Sequence, residues 1–238
     1  MNKGVSLKFI GHSTFLIKSP EGKTVLIDPW IQGNPVCPEE ARILDNLDLI
    51  LITHGHGDHM PEAVDLAAKF DAKCVCNFEI AQWLQGKGVT SPVIGMNKGG
   101  TTEIEGLRVT MVDAKHSSSI TEADGTIVYA GEPAGYIVEF ENGYRIYHAG
   151  DTCVFGDMKL IGEIYRPDLA LLPIGDHFTM GPLEASWACR LLDVKKMIPM
   201  HYATFPVLTG TPEKLRGLLD GFDVEVIELA PGQEIVMG

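Results

Sequence analysis

The hexapeptide HGHGDH, His54 to His59, brings three imidazoles and one carboxylate into six consecutive residues. Imidazole together with carboxylate is ligand chemistry for Zn²⁺, and equally for Mn²⁺, Fe²⁺ or Ni²⁺. The hexapeptide follows the apolar run LDLILIT, so it sits at the exit of an extended segment. There a period of two points His54 and His56 to the same side. Gly55 and Gly57 let the backbone turn tightly. Asp58 and His59 stand just before a helix start, where a carboxylate is electrostatically favoured. One loop can therefore offer two imidazoles to one point and a carboxylate with an imidazole to a second point nearby. A lone histidine in a loop is normally satisfied by backbone and water. H-x-H-x-D-H at a strand exit favours metal instead.

A closed site needs four ligands, and an open dinuclear one draws more from other loops. Three further residues of the right type each follow an apolar extended run: His116 after LRVTMVDAK, Asp151 after YRIYHAG and His201 after KKMIPM. Alone, each reads equally well as a capping or surface residue. Together with the hexapeptide they make seven ligands, enough for two cations that share one carboxylate.

The elements that position these residues are legible in outline. SLKFIGHSTFLIKS and KTVLIDPW read as two strands joined by SPEGK, a proline and glycine turn. LDLILIT is continuously apolar, as in a strand buried on both faces. MPEAVDLAAKF has helical spacing with Pro61 in the first turn. AKCVCN predicts a short strand, and FEIAQWLQGKG a helix stopped by its glycines. TTEIEGLRVTMVDAKH gives strand signals around Gly106, and AGYIVEFENGYRIYHAGD a hairpin around Asn142-Gly143. FGDMKLIGEIY, PLEASWACRLLD and TPEKLRGLLD predict helices. PDLALLPIG, KKMIPMH and DVEVIELAPGQEIVM predict strands. DLILITHGHGD and DLALLPIGDHF share a layout of apolar strand, polar loop and helix opening with proline, which hints at duplication. Strands punctuated by helices imply an α/β (α+β) class with sheets packed together and flanked by helices.

The 238 residues can bury a substantial core, and we expect one domain over 1–238. Apolar content of 45% and charged content of 21% fit an ordinary globular chain. No apolar run approaches the roughly 20 residues needed to cross a bilayer. No secretory h-region is visible at the N-terminus, so the five cysteines read as reduced thiols and the compartment as cytoplasmic. A net charge of −13 repels phosphate backbones and anionic lipid, so neither nucleic acid nor membrane is expected as a partner. It leaves open an anionic small molecule in a metal-lined pocket, and it leaves open a homo-oligomer.

H-x-H-x-D-H with a later histidine, then Gly150-Asp151, then His201 resembles the metallo-β-lactamase superfamily. The opening GHSTFLI with DPW is similar to the branch that holds ascorbate-6-phosphate lactonases and metal-dependent hydrolases. The resemblance runs from Gly11-His12 to His201. It implies a four-layer αββα sandwich of two similar halves with the site on loops at one edge. It also implies two divalent ions, zinc first and Mn, Fe or Ni open. His54, His56 and His116 would hold the first; Asp58, His59 and His201 the second; Asp151 would bridge them. A water between the cations would then be a hydroxide at neutral pH and attack a carbonyl or phosphoryl centre of a small substrate, a lactone or phosphoester, anionic or not. Asp58 would orient it or shuttle its proton.

His12 reads as a buried hydrogen-bonded histidine, and the branch resemblance adds a role as substrate contact or support of the site. By the duplication logic His177 faces the same edge and either touches substrate or does not; Asp176 reads as a turn residue or an acceptor behind the site. His148 reads as structural. Cys153 reads as a free thiol, and Cys74 and Cys76 as core; Cys37 and Cys189 carry no signal. Tyr202 and Thr204 suit the pocket mouth or loop packing equally. Lys115 beside His116 suits an anionic substrate, or simply solvent. Rival functions are a nuclease or phosphodiesterase of the same fold acting on RNA, which would want basic patches, a β-lactamase or glyoxalase-type thioester hydrolase, and a non-catalytic metal-binding protein.

Overall fold

The computed structural model describes residues 4–238. The first half runs β1 (Val5–Gly11), β2 (Thr14–Lys18), β3 (Thr24–Ile27), β4 (Leu49–Leu51), α1 (Ala63–Phe70), β5 (Lys73–Asn77), α2 (Phe78–Gly86) and β6 (Val93–Met96). The second runs β7 (Thr101–Ile104), β8 (Leu107–Asp113), β9 (Ser119–Thr121), β10 (Ile127–Tyr129), β11 (Ala134–Glu139), β12 (Arg145–His148), α3 (Met158–Tyr165), β13 (Leu169–Pro173), α4 (Pro182–Leu192), β14 (Lys196–Met200), α5 (Pro212–Leu218), β15 (Glu225–Val226) and β16 (Glu234–Met237).

The continuously apolar strands explain the layering. Leu49 and Leu51 of β4 point into a cluster shared by both sheets, whereas Ile50 and Ile52 point into a cluster with α1 and α2. In β13, Leu169 and Leu171 face the other sheet, and Ala170 and Leu172 face α3, α4 and α5. A strand that is apolar on both faces must be covered on both faces. The result is helices, sheet, sheet, helices. Cys74 and Cys76 of β5 lie in the helix-facing cluster while Val75 faces the other sheet, so the C-x-C pair is core.

The two sheets have matching orders, β16-β1-β2-β3-β4-β5-β6 and β7-β8-β11-β12-β13-β14-β15. In each, the first four strands are antiparallel neighbours and the rest are parallel to the fourth. β4 and β13 hold equivalent places, which accounts for the shared layout of their sequences. The edge next to β1 is filled by β16, from the far end of the chain.

The structure corrects the reading of residues 6–19 as one strand. Gly11 at φ +129° and His12 at φ +60° break the run, and β1 and β2 form a hairpin with Gly11 opposite Thr14. An apolar alternation that continues on both sides of a two-residue turn conceals it. Pro61 also lies outside the first turn, since α1 begins at Ala63 with Glu62 as its N-cap. Three features had no sequence reading: a 3-10 turn at Glu39–Arg42, β6, and the ribbon β9–β10 inserted between β8 and β11. The hairpin at Asn142-Gly143 is present, with the Gly143 N–H donating to Phe140 O and Gly143 at φ +84°. Among the described residues no helix is long and apolar enough to cross a membrane.

Tyr136 of β11 is fully buried between the sheets, and its hydroxyl donates to Ile52 O at 2.8 Å, two residues before His54. This is a polar tie from one sheet to the loop entry of the other. Tyr136→Phe leaves that carbonyl without its donor, and urea unfolding should show a loss of about 1–2 kcal/mol. Unchanged stability would mean the tie contributes nothing.

Candidate metal centre

Strand direction gathers the chemistry at one edge. β3 and β4 run parallel, as do β12, β13 and β14, so their C-terminal connections emerge together. Asp28 follows β3, His54–His59 follow β4, His116 follows β8, Asp151 follows β12 and His201 follows β14. The β1–β2 turn brings His12 to the same place. The backbone is held unusually there. Non-glycine residues with positive φ are either helix ends (Asp71, Arg166, Asp193), the Glu105 turn, or these connections: His12, Asp28, Asp176, His177, His201 and Ala203. Strain of this kind collects where surrounding structure imposes a geometry.

Asp151 Oδ2 is the point of convergence. His201 Nε2 lies 3.0 Å from it, His59 Nε2 3.3 Å, His116 Nε2 3.6 Å and His54 Nε2 3.9 Å. Around it the donors fall into sets within 4.8 Å of one another: His54, His56 and His116; His12, Asp58, His59 and His201; and His54, His59 and Asp151. His54 Nε2 and His56 Nδ1 are 3.0 Å apart, a spacing at which two ring nitrogens share a proton or a cation.

One buried carboxylate orients a ligand candidate from each set. Asp28 accepts from Thr53 N–H at 2.8 Å, from the Thr53 hydroxyl at 2.7 Å and from His59 Nδ1–H at 2.8 Å. Because Thr53 Oγ1 gives its proton to Asp28, it accepts from His54 Nδ1–H at 3.0 Å. Both rings thereby aim Nε2 inward, the atom a metal ligand needs; it is bare on His54, and on His59 a cation would take the place of the proton that Asp151 and Asp28 favour there. Sequence reasoning missed Asp28 in this role, although DPW was visible; a single aspartate after a strand has no spacing signal.

The electrostatics suit a cation. Burial pushes the proton affinity of His54, His56 and His116 below the usual imidazole value, so they stand as neutral donors. Burial also opposes charge at His59, yet Asp151 and Asp28 on either side raise it well above that value. Burial would raise Asp151, but His201 and His59 hold it well below the ordinary carboxylate range. Positive charge is thus favoured at the centre of the cluster. His59 Nε2 and Asp151 Oδ1 are buried with no hydrogen-bond partner among the described residues, an arrangement a divalent ion would relieve.

His12 joins the second set. Its Nε2 contacts Asp58 Oδ2 at 3.2 Å and its Nδ1 the Thr204 hydroxyl at 2.9 Å. Burial pushes His12 down to about 4, so the ring is neutral at pH 7; its Nε2–H donates to Asp58 and Thr204 donates to Nδ1. His177 is not brought in: it is exposed, its ring packs edge-on against Phe178, and it is in none of the donor sets. Asp176 is a turn residue whose Oδ1 accepts from His177 N–H. His148 is structural, donating from Nε2 to Ser13 O and accepting Gly150 N–H at Nδ1. Cys153 is an exposed free thiol. Lys115 is paired with Asp113 at 2.5 Å.

Asp28→Asn keeps the shape but cannot accept from all three donors. Divalent-cation affinity, measured by competition with a chromophoric chelator, should fall about 10–100-fold. Unaltered affinity would show that ring orientation does not depend on this carboxylate.

Comparison with known proteins agrees with the geometry. A family described as "Beta-lactamase superfamily domain" matches residues 23–202. The chain is 49% identical over 240 residues to a "UPF0173 metal-dependent hydrolase" of Chloroflexus aurantiacus, covering 99% of this chain and 98% of that protein. It is 49% identical over 236 residues to another so named from Rubrobacter xylanophilus, covering 98% and 96%. Igni18, a metallo hydrolase of known structure from Ignicoccus hospitalis, superposes with a TM-score of 0.86 at 35% identity, covering 98% of each chain. With a metallo-β-lactamase-type sandwich, a converging set of imidazoles and carboxylates, and relatives matched nearly end to end, the chain belongs to the beta-lactamase superfamily and, within it, to the UPF0173 metal-dependent hydrolases.

Proposed function

We propose that His54, His56 and His116 hold one divalent ion and Asp58, His59 and His201 a second, with Asp151 shared between them, and that the enzyme hydrolyses a small substrate with a carbonyl or phosphoryl centre. The observation that carries this reading is the approach of four imidazole nitrogens, two from each set, to the single oxygen Asp151 Oδ2. The ions, when bound, supply a hydroxide at neutral pH and polarise the substrate oxygen. The imidazole-rich donor set suits Zn²⁺ first, with Mn²⁺, Fe²⁺ and Ni²⁺ as competitors.

The protein's own groups supply placement. Thr204 and His12 form a chain that fixes Asp58, and burial, which would protonate that carboxyl, is overcome by the His12 hydrogen bond and His59. Asp58 is therefore a standing acceptor that orients what attacks, and His12 is its positioning residue. Both halves contribute to one cluster, which supports a single catalytic domain over 1–238. The acidic balance and the absence of basic clusters in the sequence weigh against a nuclease and against a membrane surface, and five free thiols support a reducing compartment such as the cytoplasm.

The test begins with elemental analysis of the purified protein, then a panel of lactone, phosphodiester and thioester substrates with and without chelator. Chelation should abolish turnover and a divalent metal should restore it. His56→Ala and Asp58→Ala should each lower kcat/KM by about a hundredfold or more. Near-normal turnover in either variant with metal still bound refutes the assignment.

A further inference from the structure

Beside His56 the surface opens into a cavity of about 380 Å³. This is within the usual size range of small-molecule sites. Its walls are Met60 and Val64 at the start of the first helical layer, Trp83 of α2, and Ile120 of the β9–β10 ribbon. A larger cleft of about 830 Å³ between α3 and α4 is lined by none of the clustered donors, so size alone does not mark the site.

The slot is preformed because its outer wall is fastened at both ends. At the tip, Glu122 accepts from Trp83 Nε1 at 2.7 Å and from Lys87 Nζ at 2.6 Å. At the base, Ser118 Oγ accepts from Gly55 N–H at 3.2 Å and donates to Ala130 O at 3.0 Å. The ribbon packs so closely that a Cβ on Gly55 would lie 2.5 Å from Ala130 Cβ. Gly55 is thus required by approach of the ribbon to the metal loop. A Cβ on Gly57 would meet nothing within 4 Å.

Charge decides what fits. The slot holds one lysine, Lys87, already engaged by Glu122, and a further carboxylate, Asp65. Two lysines outside the slot are engaged too: Lys115 by Asp113, and Lys98 by Asp113 and Glu132. An anionic group would meet net negative charge and no free cation among these residues, whereas an uncharged apolar group meets Met60, Val64, Trp83 and Ile120. We infer that this slot binds the uncharged, apolar alkyl or acyl portion of an ester or lactone whose carbonyl lies at the His56 edge, and that it selects against phosphorylated substrates. This deepens the hydrolase reading and rests on it.

The test pairs binding with turnover in the metal-loaded enzyme. Methyl ketones of increasing chain length, which carry the carbonyl without a leaving group, are titrated calorimetrically. A matched series of alkyl γ-lactones and one phosphorylated sugar lactone are assayed for kcat/KM. Ketone affinity and lactone kcat/KM should both rise about fourfold per added methylene until the slot is filled. Val64→Arg should flatten both dependences. Glu122→Gln, which loosens the outer wall at the ribbon tip away from the core, should weaken binding of the longer ketones. Flat dependence in both series, or preference for the phosphorylated lactone, overturns the slot while leaving hydrolysis intact. Chain-length-dependent ketone binding without turnover of any lactone upholds the slot and overturns the carbonyl-hydrolase reading instead.

Discussion

The constraint on which the site depends is the demand of the Asp28 carboxylate for donors in a place no water reaches. It sits fully buried at the end of β3 and takes hydrogen bonds from the Thr53 backbone, the Thr53 hydroxyl and the His59 ring. A buried carboxylate left short of donors is costly, so these partners are held firmly. Their firmness passes outward. Thr53, having given its proton inward, can only accept from His54, and two imidazoles from two different donor sets are locked with their Nε2 atoms turned inward. A preference for saturating one anion thus becomes a geometry for holding cations.

The sandwich gives that anion its setting. Duplicate sheets place C-terminal strand ends from both halves at one edge, and the apolar strands that lead there leave no room for slippage. Ile50 and Ile52 are packed under helices while Leu49 and Leu51 are packed against the other sheet. A one-residue shift would turn every one of these to the wrong layer. The connections are therefore fixed where they leave the strands, and the positive φ values at His12, Asp28 and His201 record how tightly they are drawn there.

Much of this was readable from residues. Three imidazoles and a carboxylate at a strand exit carry a spacing signal, and His116, Asp151 and His201 carry a positional one, each following an apolar run. The structure brings all seven together. Asp28 was not readable because its role depends on which strand lies beside β3, a tertiary fact. His12 reads as part of one strand because the alternation of Leu7 and Phe9 resumes in phase at Phe15 and Ile17; only the register shift and the left-handed backbone reveal the turn. His177 was placed by analogy between halves, and the analogy holds for the strand but not for the side chain, which faces solvent. The ribbon escaped because its strands have only three residues each and gain their order from Glu122, Trp83 and Lys87 rather than from their own pattern.

The pairing of β1 with β16 joins Val5 to Met237, a contact between residues far apart in the chain. During translation, the N-terminal sheet emerges from the ribosome with a bare flank and cannot be sealed until β16 is made. Its Val5, Leu7 and Phe9 also belong to the core shared with the later sheet. The nascent first half is consequently not a self-sufficient folding unit despite its resemblance to the second. Such a topology makes completion of the two halves one late, cooperative event. The cation cluster, drawn from both, is assembled only at that moment.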